Sequence, residues 1–415
     1  MNVVGVIAEY NPFHKGHAYH LAEAKKRANA DYAVVIMSGN FTQRGIPACY
    51  DKFFRTECAL SAGADLVLEL PFCYATSSAE LFASGAVNIL DRLGVVTDLC
   101  FGSDSGEDAD LYLATADFLC KEPKEYRERL RSGMKDGLTF PQARMNAAKD
   151  FISSDALSLL SAPNAILGLE YCKALLRSNS SVRPLPIARI GSGYLETSLS
   201  ADDFPSATAI RLALSRRDTS DTSFTDNPAD ALFSAFPEST LSLLQTQKPI
   251  SVFPEDFFLL LRYALLHSSP DVRKETADFS TELSHRLASL TDCLSYEELV
   301  TALKTRQYTR TRIERALLHL LCRYSEADRI LFQKNSTGYA RVLGFRKDAA
   351  PLLRSVKENA SLPVIGKLAQ NKKRCSSLEQ KMLSYDLTAS KLYQIVAEQK
   401  SGIGQNREYA GPIVY

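Results

Sequence analysis

Four short, branched apolar runs recur along the first hundred residues, and their spacing limits the fold more than any other feature. They are residues 2–8 (NVVGVIA), 32–38 (YAVVIMS), 64–70 (ADLVLEL) and 95–101 (VVTDLCF). Between them, residues 18–28, 51–62 and 78–93 follow helical patterns. Near-continuous apolar strands alternating with helices indicate a parallel sheet covered on both faces and built from right-handed βαβ units. The sequence therefore predicts a doubly wound α/β fold. In such a fold, ligands sit beyond the carboxyl ends of the strands, near the switch in strand order.

Residues 107–180 read mostly as helices, with Phe140-Pro141 and Pro163-Asn164 as breaks. A further strand is expected over 185–190 (LPIARI), followed by the loop GSGY and a helix start in SATAIRLAL. The stretch 216–230, RRDTSDTSFTDNPAD, is polar and aperiodic, which suits a linker or an exposed loop. Beyond it the chain is helical in character, for example over 256–266 and 312–323, and residues 339–345 are candidates for additional strands. The expected organisation is a first domain over 1–215, a linker over 216–230 and a mainly helical region over 231–415.

The net charge of +1 hides a segregation, because residues 301–415 carry roughly 21 Lys and Arg against 9 Asp and Glu. The first 300 residues are correspondingly acidic, so a polyanion partner is expected at the basic end. No apolar run approaches the ~20 residues of a membrane helix, and no cationic leader precedes the first apolar run, so a cytoplasmic protein is expected. Nine scattered cysteines form no CxxC pair. That usage points to reduced core thiols rather than a disulfide framework or a zinc knuckle.

Directly after the first run stands AEYNPFHKGH, residues 8–17, and three of the six histidines, His14, His17 and His20, fall within it or just beyond. The order is strand, tight loop, Gly16, then helix. A helix start offers unpaired N–H groups and a positive dipole end, which favour phosphate. Gly16 lets an anion approach the backbone, and the flanking imidazoles can donate hydrogen bonds to charge building on a transferring phosphoryl group. Three histidines also admit a metal reading. Zinc on a helix, however, prefers His at i and i+4 with a further carboxylate or Cys, whereas His14 and His17 lie on the loop side of the helix start.

FHKGH matches the HxGH signature of the nucleotidylyltransferase superfamily. The longer run GVIAEYNPFHKGHAYH, followed in order by SGNFTQRGIPA, GADLVLELP, FGSDSG, PNAILGLEY and SATAIR, resembles the bacterial tRNA(Met) cytidine acetate ligases. The ordered matches span roughly residues 1–215, with weaker ones at YTRTRIER and YARVLGF. The resemblance implies a Rossmann-type, HUP-like catalytic domain that activates free acetate with ATP as acetyl-adenylate. It further implies transfer of the acetyl group to N4 of the wobble cytidine of elongator tRNA(Met), without acetyl-coenzyme A. Mg²⁺ is expected only as the companion of the ATP phosphates, since no carboxylate cage is visible.

By the same resemblance, ATP contacts fall on Ile7, Ala8, Glu9, Tyr10, Asn11, Pro12, Phe13, His14, Lys15, Gly16, His17, Ala18, Tyr19 and His20. Further ATP contacts are implied at Gly102, Asn164, Arg189 and Ile190. Ser206, Thr208 and Arg211 in PSATAIR resemble the superfamily's second phosphate loop, although a serine there also suits an ordinary helix cap. Asn40, Gln43 and Arg44, in the loop after the second strand, are candidates to close over acetate or cytidine. Lys52 reads either as an aid to pyrophosphate departure or as a helix-surface lysine. Arg306, Arg310, Arg312, Arg315, Lys372, Lys373 and Arg374, near Tyr308, Tyr339 and Tyr385, are candidates for tRNA. Two other classes remain open at this point. One is a small-molecule adenylyltransferase of cofactor synthesis, and the other is a non-catalytic tRNA-binding protein with a nucleotide pocket.

Overall fold

Each apolar run expected as a strand forms one. The computed structural model describes residues 1–104, 108–188, 205–218, 232–288, 292–335, 338–404 and 407–415. In it β1 (Val3–Ala8), β2 (Tyr32–Ser38), β3 (Leu66–Leu70), β4 (Asp98–Ser103) and β5 (Arg183–Ala188) pair in parallel in the order β5-β4-β1-β2-β3. Alternate residues serve opposite faces, as the two-residue period of a strand demands. Val3, Val34, Ile36, Leu66 and Leu68 enter one core cluster, and Val4, Val6, Val35, Met37 and Val67 enter the other.

The second cluster is roofed by α1 (Lys15–Arg27) and α2 (Lys52–Ser61). The first is covered by α3 (Phe72–Ala75), α4 (Ala79–Arg92) and the helices that follow β4: α5 (Ala109–Lys121), α6 (Lys124–Lys135), α7 (Phe140–Ala148), α8 (Ser154–Leu159) and α9 (Pro163–Ser178). The expected breaks at Pro141 and Pro163 are helix beginnings. Both prolines occupy a first turn, where the missing N–H has no intrahelical partner to lose. The chain moves outward through β2 and β3 and then returns to lay β4 on the free edge of β1. The gap between β1 and β4 is therefore the switch point.

Residues 219–230 of the expected linker lie outside the described residues. The chain around and after it is helical: α10 (Ala207–Asp218), α11 (Glu238–Gln247), α12 (Phe258–His267), α13 (Pro270–Glu275), α14 (Thr281–Ala288), α15 (Tyr296–Leu303), α16 (Arg310–Leu321), α17 (Glu326–Lys334), α18 (Ala350–Asn359), α19 (Leu368–Asn371) and α20 (Ser377–Ser401). This region does not stand apart from the sheet. β6 (Ala340–Phe345) pairs antiparallel with β3, and β7 (Val364–Ile365) and β8 (Ile413–Val414) pair with the two ends of β6. The edge of β3 that the first 215 residues leave open is thus covered by strands from the end of the chain.

The seam between these parts is ionic. Lys52, fully buried, sits 2.7 Å and 2.9 Å from the two carboxylate oxygens of Glu69, 2.9 Å from Glu408 and 2.9 Å from the Ser390 hydroxyl. Arg341 on β6 pairs with Glu408 and lies 2.9 Å from Glu69, close enough for an ion pair though not aligned for a hydrogen bond. Two cations thus balance two carboxylates. A third carboxyl, Asp386 on α20, accepts from the Phe72 N–H at 2.7 Å and from the Tyr339 hydroxyl. Burial, with Glu69 nearby, pushes Asp386 up to about 7. Burial also pushes Glu408 up, but Lys52 and Arg341 outweigh it and bring the group down to about 2. Both readings of Lys52 from sequence are corrected: it lies neither on the surface nor against the cavity described below, but ties β3 to the last helix.

Candidate active site

At the end of β1 the chain turns through Glu9–Phe13 and starts α1 with His14 as its N-cap. His14 takes the place that Ser or Thr usually fills: its Nδ1 accepts the Gly16 N–H at 3.0 Å. His17 returns the favour, its Nδ1 accepting the His14 N–H at 3.3 Å. With Nδ1 of each ring accepting, the proton of the neutral imidazole resides on Nε2, and each ring is a donor at that atom. The rings lie 3.8 Å apart at 30°, and His17 is backed by Tyr10 at 4.9 Å and Phe13 at 5.8 Å. Gly16 is required by this cap. A Cβ there would stand 2.9 Å from His14 Cε1, so the missing side chain makes room for the His14 ring.

His14, Gly16 and His17 open onto a cavity of about 370 Å³ at the switch point. Ile7, Ala8, Glu9, Tyr10, Asn11, Tyr19 and His20 join them from the first motif, whereas Pro12, Phe13, Lys15 and Ala18 do not line it. Gly102 at the end of β4 and Asn164 at the start of α9 form the facing side. Asn164 donates to Asp104 from its side chain at 2.7 Å. Ser206, Thr208 and Arg211 complete the wall. Ser206 caps α10 by accepting the Ala209 N–H at 3.1 Å. Arg211 donates to Thr208 Oγ1 at 3.0 Å and to the Asn11 carbonyl at 2.6 Å. The cap reading of Ser206 and its place in the cavity are therefore compatible, and Arg211 binds the second motif to the first.

The floor is set by a residue the sequence did not single out. Arg55 on α2, fully buried, donates to the carbonyls of Tyr50 at 3.0 Å and Ser38 at 3.2 Å, and also to those of Glu9 and Gly39. One guanidinium thereby joins the ends of β1 and β2. Glu9 in turn accepts the Gln43 N–H at 2.6 Å, and Asn11 Oδ1 accepts the Cys49 N–H at 2.8 Å. Gln43 and Arg44 line the cavity, Gln43 also donating to the Ser77 carbonyl at 2.8 Å. Their loop is pressed onto α16: Gly45 has φ +82°, and a Cβ on it would lie 2.4 Å from the Arg315 backbone nitrogen. Burial raises Glu314 on that helix, although Arg310 and Arg44 beside it oppose the shift.

Several expected positions fall elsewhere. Asn40 is buried away from the cavity, its Oδ1 accepting the Lys52 N–H at 2.8 Å and its amide donating to Ser390, so it is corrected to a structural residue. Arg189 and Ile190 lie outside the described residues, as does the side chain of Lys372. Arg310 is held by Glu297 at 2.6 Å and 2.7 Å and by Glu314 at 2.8 Å. Arg315 is held by Asp278 at 2.9 Å, and Arg312 stacks 5.1 Å from the Tyr308 ring. Carboxylates thus match Arg310 and Arg315, whereas Arg312 is half-buried against the Tyr308 ring with no carboxylate partner among the described residues. Tyr308 and Tyr339 are buried and Tyr385 is bonded to Asp328, so none of the three is an open stacking platform. Arg306, Lys373 and Arg374 are exposed.

The apolar wall of Phe82, Phe101, Ile166, Leu167 and Tyr171 went unread, because at the sequence level these residues carry only core periodicity. Burial, with Glu9 nearby, raises the Tyr171 phenol, which keeps it protonated as a donor. The Tyr10 hydroxyl is buried without a hydrogen-bond partner among the described residues. All nine cysteines are free, and burial pushes several up, Cys49 to about 12. Among the described residues no three His, Cys, Asp or Glu converge as metal ligands, and no helix is long and apolar enough to cross a membrane.

Comparison with known proteins agrees with this geometry. The sequence matches the HIGH Nucleotidyl Transferase family over residues 1–408. It is 40% identical to the tRNA(Met) cytidine acetate ligase of Acetivibrio thermocellus, covering 95% of this chain and 94% of that protein. It is 35% identical to the tRNA(Met) cytidine acetate ligase of Clostridium perfringens, with 100% of both covered. The fold superposes on the crystal structure of Thermotoga maritima TmcAL in an apo form with a TM-score of 0.90 at 31% identity, over 100% of this chain and 99% of that one. The structure of that protein bound with alpha-thio ATP gives a TM-score of 0.88 at 31% identity over the same shares. A cavity built from two helix-start motifs at the switch point, together with full-length likeness in sequence and fold, establishes that this chain belongs to the tRNA(Met) cytidine acetate ligase family of HIGH nucleotidyl transferases.

Proposed function

We propose that the protein acetylates N4 of the wobble cytidine of elongator tRNA(Met), using ATP and free acetate and not acetyl-coenzyme A. The observation that carries this reading is the convergence of His14 and His17 with Ser206, Thr208 and Arg211 on one cavity. An acetate oxygen attacks the α-phosphorus of ATP, the bond to the β-phosphate oxygen breaks, and pyrophosphate leaves. The Nε2 donors of His14 and His17, at the positive end of α1, balance charge building on the phosphoryl oxygens. The Ser206 hydroxyl, the start of α10 and Arg211 receive the β- and γ-phosphates. The adenosine lies along Ile7–Tyr10, Gly102 and Asn164. The cytidine amine then attacks the activated acetyl carbon, AMP departs, and the amine loses one proton. Among the described residues no set fits as a cage for Mg²⁺, so no step is assigned to it.

Gln43 and Arg44 meet acetate or the incoming base in this reading, which is supported by their loop lining the cavity while it packs on α16. In this reading residues 1–215 carry the chemistry, 216–230 link, and 231–415 brace the site and meet RNA, with Arg306, Lys373 and Arg374 as exposed cations. A tRNA substrate and reduced thiols suit the cytoplasm. The test is incubation with ATP, radiolabelled acetate and bulk tRNA: label is expected in tRNA only when ATP is present. Pyrophosphate release on a nicotinamide or pantetheine phosphate, with no label in tRNA, would instead identify a cofactor adenylyltransferase. Binding of tRNA without turnover would identify a non-catalytic binder.

A further inference from the structure

The basic charge counted from sequence sits in the last 115 residues, yet the structure consumes much of it internally. Arg310, Arg315 and Arg341 are each matched to a carboxylate. A row of cations with no ion-pair partner among the described residues lies instead on α6, in the part of the chain that is acidic overall. Arg127, Arg131 and Lys135 recur every fourth residue, so they share one face and rise about 6 Å per step along the axis. All three are exposed. Their neighbours differ: Arg129 points elsewhere and pairs with Asp150 at 2.5 Å, and Lys124 stands 3.9 Å from Glu128. The opposite face of α6 is anchored by Tyr126, which is buried in the core.

Position gives this row its meaning. α6 packs on α7, and Arg144 of α7 donates to the Leu160 carbonyl at 2.9 Å. Leu160 lies four residues before Asn164, and the helix that begins there supplies Asn164, Ile166, Leu167 and Tyr171 to the cavity. The row also runs toward the turn that carries Phe140, an aromatic ring left half exposed with Arg144 5.6 Å behind it. Cations in a line beside an exposed ring form the pairing that tracks a nucleic-acid backbone and stacks a base.

We propose that the exposed face of α6, through Arg127, Arg131 and Lys135, is a docking surface for the phosphate backbone of an RNA whose reactive base enters the cavity. This rests on the reading of the protein as a tRNA-modifying enzyme, and it adds an electrostatic contact on the α6–α7 hairpin to the exposed cations of the C-terminal section. The three side chains are exposed and hold no hydrogen bond or ion pair among the described residues, so an Arg127→Gln/Arg131→Gln/Lys135→Gln variant is expected to fold as the parent does.

The experiment measures tRNA binding across a salt series and ATP binding by calorimetry, for the parent, the triple variant and a charge-keeping Arg127→Lys/Arg131→Lys/Lys135→Arg variant. The expected result for the neutral variant is a tRNA affinity lower by about tenfold or more. Its slope of log K against log salt should be shallower by about 2, three contacts at roughly 0.7 each, with ATP affinity unchanged. The charge-keeping variant should match the parent. A parent that binds tRNA, with a neutral variant of equal affinity and slope, overturns the α6 surface and leaves the proposed function standing. A parent that binds ATP but no tRNA overturns both. Parent binding to phosphatidylserine vesicles, lost in the neutral variant while tRNA binding is kept, marks the face as a membrane contact and also overturns the proposal.

Discussion

Replacing Lys52 by Met tests whether the ionic seam or the cavity accounts for that lysine. Its ammonium is fully buried and contacts both oxygens of Glu69, one of Glu408 and the Ser390 hydroxyl, all between 2.7 Å and 2.9 Å. Methionine fills most of the volume but leaves two buried carboxylates sharing Arg341. Removing one partner from a buried ion cluster costs about 3–5 kcal/mol, a large part of the ~5–15 kcal/mol that holds a protein folded. Urea denaturation at pH 7 should show that loss, and adding Glu69→Gln should recover about 1–3 kcal/mol of it. The pH dependence has a definite sign. Glu408, ordinarily near 4.5, is held at about 2 in the fold. It therefore contributes stability above its unfolded value and loses it as pH falls through the window from 4.5 to 2. The gap between parent and variant should accordingly narrow below about pH 4. Lys52 does not line the cavity, so the folded variant should keep the parent's KM for ATP. A loss of activity of about a hundredfold with unchanged stability, which transition-state contact would produce, would refute this account and return Lys52 to the chemistry.

Three further outcomes follow from the site. Gly16→Ala puts a Cβ 2.9 Å from His14 Cε1 and displaces the ring from its 3.0 Å cap bond, so ATP affinity should drop by about fivefold in a calorimetric titration, the ~1 kcal/mol of one hydrogen bond; an unchanged affinity would sink the cap argument. His17→Ala removes one donor from the phosphoryl group, and acetate-dependent pyrophosphate release should slow by about 10²–10³; a parental rate would exclude His17 from the chemistry. Gly45→Ala must adopt φ +82° and meet the Arg315 backbone, costing roughly 2–4 kcal/mol and shifting Arg44. Acetyl transfer should fall while ATP binding persists, and parental transfer at parental stability would show that the loop's position is immaterial.

The strands and the HxGH turn were legible because their signals are local. Apolar period, the proline and glycine of a turn, and a histidine at a helix start act within a few residues, and the structure places β1, β2 and α1 within three residues of where the pattern put them. The partition of charge was not legible. Arg310 and Arg315 looked like an RNA surface, yet Glu297 and Glu314 engage the first and Asp278 the second once α16 packs against its neighbours. Arg55 gave no signal at all, since an arginine on an apolar helix face is recognisable as a clamp only once four carbonyls meet it.

By itself the sequence determined that a doubly wound sheet forms and that a phosphate-seeking turn stands at the end of its first strand, because backbone geometry and side-chain period are properties of short segments. Only the tertiary structure decided that the last strands complete the same sheet, that Lys52 meets Ser390 338 positions later, and which cations remain facing water. Pairing energy depends on what lies across a few ångströms of space, and that distance is not written in the order of the residues.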